Sequence, residues 1–300
     1  MIDVFDGFFK GKKVLVTGHT GFKGSWLCIW LHELGAEVVG VGLDPYSERD
    51  NFVLSGIGSK IKADIRADIR DGEKMKQIFA EYQPEIVFHL AAQPLVRLSY
   101  EIPVETYEVN VMGTIHIMEA IRATKSVKVG VMITTDKCYD NNEQLEGYVE
   151  TDPFGGYDPY SSSKGACEVA IQSWRRSFFN PDDYGKKHTV SLASVRAGNV
   201  IGGGDWALDR IIPDCVKALE DGRPIDIRSP KAIRPWEHVL EPLSGYMMLA
   251  QKMWNEPTKW CEGWNFGPES ESVSTVWEVA TELVNNFGFG ELKDSSDPNA

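Results

Sequence analysis

Lys13-Val14-Leu15-Val16-Thr17-Gly18-His19-Thr20-Gly21-Phe22-Lys23-Gly24 is a short apolar run that breaks into three evenly spaced glycines. The run is β-branched and lacks polar alternation, which predicts a strand buried on both faces, as in a parallel sheet. Trp26, Leu27, Trp30, Leu31 and Leu34 then recur at helical spacing from Phe22 to Leu34, with Gly35 placed as a C-cap. Strand, glycine turn and helix in this order suit a dinucleotide. Glycines there permit a tight turn, let the backbone approach a pyrophosphate and allow close contact between helix and sheet. Gly18, Gly21 and Gly24 are spaced G-x-x-G-x-x-G, a variant of the usual G-x-G-x-x-G. His19, beside the phosphates, is either a polar contact or a steric obstacle.

Moving outward, strands are expected at Val38–Leu43, Glu85–Ala92, Val127–Thr135 and Val190–Val195. Helices are expected at Asp71–Tyr82, Val104–Thr124 and Tyr160–Phe178. The alternation predicts an α/β, Rossmann-like, doubly wound parallel sheet. Beyond residue 198, Gly202-Gly203-Gly204 and Pro213, Pro224, Pro230 and Pro235 break the rhythm, so a smaller, irregular C-terminal substrate domain is expected. The expected division is 1–197 plus about 236–264 for the cofactor and about 198–235 plus 265–300 for the substrate. Ligands of such sheets bind beyond the carboxyl ends of the strands, where Gly18, Leu90-Ala91-Ala92 and Thr134-Thr135 fall. Asp44 ends the second strand, where a carboxylate accepts ribose hydroxyls and repels a 2′-phosphate, favouring NAD over NADP; the alternative is a solvated loop acid beside Pro45. Asp68, in Asp68-Ile69-Arg70, either faces the adenine or caps the next helix.

The 300 residues suffice for one large or two modest domains, and 42% apolar with 25% charged content is ordinary for a globular protein. A net charge of −13 argues against a nucleic-acid binder. Five scattered cysteines without a C-x-x-C pair fit reduced thiols, and the histidines show no metal-like clustering. Met1 to Asp6 carries early acids and no cationic start, so no signal peptide is expected; no apolar run spans a bilayer. The expected location is the cytoplasm.

Tyr160 and Lys164 lie four apart and share one helix face. A fixed ammonium and an oxidised nicotinamide would both lower the phenol's pKa, so that it takes a carbinol proton while hydride leaves for NAD.

Thr17 to Gly24, Tyr160 to Lys164 and His89 to Ala92 resemble the T-G-x-x-G-x-x-G, Y-x-x-x-K and H-x-A-A fingerprints of the extended short-chain dehydrogenase/reductase family. Asn110 looks like its cofactor-side asparagine. Thr135-Asp136-Lys137 is similar to the T-D-E triplet of the nucleotide-sugar 4,6-dehydratases, with lysine for glutamate. That exchange resembles the CDP-glucose 4,6-dehydratases in particular. So do Ala91 to Arg97, Asp136 to Asn141, Arg196 to Trp206, Ile233 to Pro242 and Gly263 to Pro268.

The resemblance implies oxidation at sugar C4, loss of water across C5–C6 and hydride return to C6. Thr135 would hydrogen-bond the C4 oxygen. Asp136, with a raised pKa, would be the acid for the C6 hydroxyl, and Lys137, with a lowered one, the base for C5–H. Arg196, Asn199, Arg210 and Arg234 fall in substrate-side motifs and are candidates for the diphosphate and sugar. Trp206 and Trp236 either stack on the ligand or pack in the core. Cys138 is either reactive or a small packing residue. The implied partner is CDP-glucose or a related nucleotide sugar, serving deoxysugars of bacterial surface polysaccharides such as O-antigen. A homodimer or homotetramer through the helices at 104–124 and 160–178 is implied as well. Relatives continue past Asp297-Pro298-Asn299-Ala300, so a C-terminal stretch of the family is expected to be missing. Two other readings stand beside this one: a 4-epimerase, which needs no Asp136–Lys137 pair, and a silent dinucleotide sensor, which needs no poised Tyr160.

Overall fold

The computed structural model describes residues 4–142, 144, 146–268 and 273–296. Part of the acidic N-terminal stretch and Asp297-Pro298-Asn299-Ala300, both used above, lie outside the described residues. Six strands, β1 (Lys13–Thr17), β2 (Glu37–Gly42), β3 (Ala63–Arg66), β4 (Ile86–His89), β5 (Val129–Ile133) and β6 (Ser191–Ala197), join a seventh, Gly263–Phe266. They form one parallel sheet in the order Gly263–Phe266, β6, β5, β4, β1, β2, β3. The chain winds outward in both directions from β1, so the strand order reverses between β1 and β4, and the crevice opens there.

The central strands are buried along their whole length because both faces are covered: β4, β5 and β6 have no exposed position, and even Ser191, Ser194 and Arg196 of β6 lie inside. Their period of two sends alternate side chains into separate layers. Val14, Val16, Phe88, Val131 and Val195 face a core with Leu27 and Leu31 of α1 (Phe22–Glu33) and Leu243, Met247 and Met253 of the helix Leu240–Asn255. Leu15, Val87, Met132 and Leu192 face the other, with Met75, Phe79, Ile117, Ile121 and Ile171. A third, smaller core gathers Cys215, Leu219, Ile225, Ile227 and Ala280, away from the sheet.

Two sheet strands, β3 and Gly263–Phe266, lie outside the ranges expected from sequence. β3 is an edge strand with every other residue exposed, and Gly263–Phe266 is only half-buried and carries a glycine and an asparagine. The helix expected over 104–124 is interrupted. Pro103–Tyr107 passes through a wide turn at Glu108–Met112 into Gly113–Ala123, and Asn110 is buried within that turn. Asp71, not Asp68, caps the helix Gly72–Tyr82, accepting from the Lys74 amide at 2.9 Å.

Candidate active site

A cleft of about 1230 Å³ lies over the carboxyl ends of the central strands. Its floor is the glycine loop. Gly18 has φ +73°, and a Cβ there would stand 2.7 Å from the Ala91 amide nitrogen. A Cβ on Gly24 would stand 2.1 Å from the Gly18 carbonyl oxygen. Only glycine lets strand, loop and helix meet this closely. α1 starts at Phe22 with no side chain capping its first N–H groups, which leaves them for an oxyanion. The cradle therefore fits a dinucleotide pyrophosphate. Phe22, Lys23, Asp68, Ile69, Leu90, Ala91, Ala92 and Thr134 line the same cleft.

Three residues expected beside the cofactor are not among the lining. His19 is fully buried; its Nε2 lies 2.8 Å from Asp64 and its ring sits under Gly40, where a Cβ would come within 2.2 Å. It is neither phosphate contact nor obstacle but a wedge behind the loop. Asp44 lies beyond the end of β2, is 88% exposed and pairs with Arg66 at 3.3 Å. Asn110 spends its amide on structure, accepting from the Gln93 amide at 2.8 Å and donating to Ser163 at 2.8 Å.

Tyr160 and Lys164 line the cleft from the helix Pro159–Ser177, whose start is fixed by Pro159 and by Asp158, which accepts from the Ser161 amide. Tyr160 is 7% exposed and Lys164 3%. Burial pushes the Tyr160 phenol up to about 12, against a hydrogen bond from Thr135 that lowers it, with Asp136 adding to the rise. Among the protein's own groups desolvation of the phenolate outweighs its neighbours; the lowering expected from sequence also counts on the charge of an oxidised nicotinamide. Burial likewise lowers Lys164.

Thr135 follows β5 and donates to Asp136 Oδ1 at 2.9 Å. Asp136 is half-buried, and a Cβ on Gly198 would lie 3.4 Å from its Oδ2. Lys137 lines the cleft and is exposed. Cys138 is buried beneath them, its thiol pushed up by burial, so it packs rather than reacts.

Asn199, Arg210 and Arg234 line the cleft, but Arg196 does not. Arg196 is 3% exposed and donates from Nε and Nη2 to Glu168 at 3.0 and 2.8 Å. It is a buried structural cation, not a diphosphate ligand. Trp206 has one face covered by Arg49, 3.5 Å away, and Trp236 donates to the Ser274 carbonyl.

The structure adds cleft residues that sequence did not single out. Arg97 and Arg228 line it and converge on Asp209 at 3.2 and 3.3 Å. Behind Asp136, Glu237 and Tyr246 are buried, and Glu237 Oε1 and the Tyr246 hydroxyl have no hydrogen-bond partner among the described residues. Lys23 reaches over the Tyr246 ring at 5.8 Å. Burial pushes Glu237 up to about 7 and Lys23 down to about 8. Lys23 is one of the residues expected beside the cofactor; Glu237 carries no periodicity that would have marked it, although it lies inside a motif quoted above.

Comparison with known proteins agrees with this geometry. The family model described as "NAD dependent epimerase/dehydratase family" matches residues 14–260. A CDP-glucose 4,6-dehydratase of Salmonella typhimurium is 54% identical over 96% of this chain and 79% of its own length. Among solved structures, a dTDP-glucose 4,6-dehydratase of Bacillus anthracis in complex with NAD superposes with a TM-score of 0.78 at 20% identity, covering 96% of this chain and 85% of its own. MoeE5 in complex with UDP-glucose and NAD does so at 0.76 and 25% identity, covering 95% and 85%. A cleft built on a glycine cradle and a Tyr–Lys helix, and a family match running from the first strand past the last helix of the sheet, lead to one conclusion: this chain belongs to the NAD dependent epimerase/dehydratase family.

Proposed function

We propose that the chain is an NAD-dependent CDP-glucose 4,6-dehydratase, a hydro-lyase giving CDP-4-keto-6-deoxyglucose. The observation that carries the reading is the gathering of Tyr160, Thr135 and Lys137 along one cleft wall, with Asp136 hydrogen-bonded to Thr135. An epimerase needs the first two alone. The cytidine assignment rests on the likeness to the Salmonella typhimurium enzyme.

NAD bound in the glycine cradle supplies a hydride acceptor and donor. Gly18, Gly21 and Gly24 hold the pyrophosphate; Asp68, Ile69, Leu90 and Ala91 flank the rest. Tyr160 would accept the proton of the C4 hydroxyl once ionised, a state that Lys164 and the positive charge of bound NAD would favour against the burial that raises the phenol. Thr135 orients the C4 oxygen. Lys137 then removes the proton from C5, acidified by the neighbouring ketone, while Asp136 donates to the departing C6 hydroxyl. Arg210, Arg234, Arg97 and Arg228 offer planar cations to the diphosphate despite the protein's negative charge.

The same reading assigns the sheet and its helices to the cofactor, and the region of the third core to the nucleotide sugar. Among the described residues no helix is long and apolar enough to cross a membrane, which agrees with a cytoplasmic enzyme supplying deoxysugars for surface polysaccharides. A homodimer or larger assembly is supported by exposed Tyr100, Val104, Met112, Val169 and Phe178 on the helices at 96–112 and 159–177 and just beyond; sedimentation showing only monomer would contradict it. Incubation with CDP-glucose is expected to give a 4-keto product with C6 fully reduced and no net NADH. A C4 epimer with its C6 hydroxyl intact would overturn the assignment. Lys137→Met is expected to bind NAD yet stall at elimination.

A further inference from the structure

We propose that Asp209 is a positioning residue that stands in for the substrate's diphosphate, holding Arg97 and Arg228 together in the cleft until the ligand takes them over. This rests on the nucleotide-sugar reading above. The two guanidiniums come from distant parts of the chain. Arg97 belongs to the helix Val96–Glu101, and Arg228 follows the short strand Ile225–Ile227, whose isoleucines lie in the third core. Both reach one atom: Arg97 Nη1 and Arg228 Nη2 donate to Asp209 Oδ1 at 3.2 and 3.3 Å. All three residues line the cleft. Two like charges converging on one point repel each other unless an anion lies between them. Here that anion is a carboxylate of the protein itself.

The contact is one that a better anion can displace. Charge-assisted bonds of this kind are strongest at about 2.7–2.9 Å and in a fork of two donors on two oxygens. Arg49 and Glu220 show that geometry, at 2.8 and 2.7 Å. Asp209 instead shares one oxygen between two donors at longer distances. Its side chain is 37% exposed and lies in a turn beside exposed Leu208, so a displaced carboxylate returns directly to water. Asp205, which pairs with Arg210 at 3.5 Å, has a side chain only 7% exposed and no such exit. A diphosphate brings more oxygens and more charge to the two guanidiniums than one carboxylate does. Binding is then an exchange of anions. The ligand gains two cations already brought to one place and expels a carboxylate that would otherwise repel it.

The test measures CDP binding by titration calorimetry and KM for CDP-glucose. The backbone at Asp209 is left-handed, with φ +57°, a conformation open to asparagine and glycine as well as aspartate. Asp209→Asn and Asp209→Gly therefore remove the charge and keep the turn. Both should tighten CDP binding by about tenfold, with KM for CDP-glucose falling in parallel. A purely structural clasp has the opposite sign, because its loss loosens the cleft. Weaker or unchanged binding in either variant would overturn the proposal. A general gain in positive potential is separated by repeating Asp209→Asn together with Arg97→Gln and Arg228→Gln, at CDP concentrations that Arg210 and Arg234 alone can hold. There its effect should shrink below about twofold. A gain of the original size without the two arginines would overturn the proposal as well. Failure of the unaltered chain to bind CDP at all is a different outcome: it removes the nucleotide-sugar reading, and this role of Asp209 with it.

Discussion

Two groups of buried charge lie near the cleft, and they are built in opposite ways. Glu168 and Arg196 are side chains 2% and 4% exposed, and each of their nitrogens and carboxylate oxygens has a hydrogen-bond partner. Glu168 accepts from Thr134, from Ser194 and twice from Arg196. Arg196 also reaches Tyr139, and its guanidinium lies 4.8 Å from the Phe154 ring centroid. Glu237, by contrast, is 3% exposed with one oxygen unpartnered, and Lys23 makes no ion pair with it under 4.0 Å among the described residues. A satisfied buried pair fixes β6 to the helix Pro159–Ser177. An unsatisfied one keeps titratable charge beside Asp136 at an energetic cost. Burial alone does not show whether a charge is structural; how its hydrogen bonds are met does.

The sharpest way to break this contrast is catalytic. Tyr160→Phe, which leaves both buried groups intact, should cut turnover by about a thousandfold at unchanged melting temperature, measured by product formation and calorimetry. A loss of stability instead would place Tyr160 with the structural residues. Next comes Glu168→Ala, expected to cost about 3–5 kcal/mol in denaturant unfolding, because Arg196 would be left buried and unpaired. A cost below about 1 kcal/mol would mean that the filled network carries no structural weight.

The Lys23–Glu237 side predicts a pH effect of intermediate size. The folded pKa of Glu237, about 7, lies above its ordinary 4.5, so the native state holds the proton longer than the unfolded one. Stability from this group is therefore full below about 4.5 and is lost as pH rises toward about 7, by about 3 kcal/mol. Glu237→Gln should flatten that slope in unfolding measured across the window; an unchanged slope would show the contrast to be empty. Smallest of all, Glu220→Gln, which breaks the exposed bidentate pair with Arg49 and leaves Arg49 on the Trp206 face, should barely move the melting temperature.

What could be seen in the sequence follows the same division between regular and irregular environments. Strands β1, β4 and β5 announce themselves because burial on both faces favours near-continuous apolar runs, and β6 shows through Val190, Leu192, Ala193 and Val195 despite its buried serines and Arg196. Tyr160 and Lys164 are visible because helical spacing alone puts them on one face. β3 and Gly263–Phe266 stay hidden, since edge strands need no such run. Arg196 misleads because its motif carries a cation whose partner, Glu168, is distant in sequence. Glu168 itself sits four residues past Lys164 and extends the face of Tyr160, a spacing that could have identified it. The burial of the phenol stays hidden for another reason: neighbours can be named from sequence, but desolvation cannot.

The strand Gly263–Phe266 docks on β6 only after the chain has left the sheet to build residues 211–227 and come back through the helix Leu240–Asn255. The chain then leaves again for Val276–Phe287, which packs against Ile211–Glu220 in the third core. The two regions are thus laced together, not strung in series. Residues 1–197 expressed alone would therefore lack the Gly263–Phe266 edge of the sheet, and residues 198–235 alone would lack the Val276–Phe287 wall of the small core.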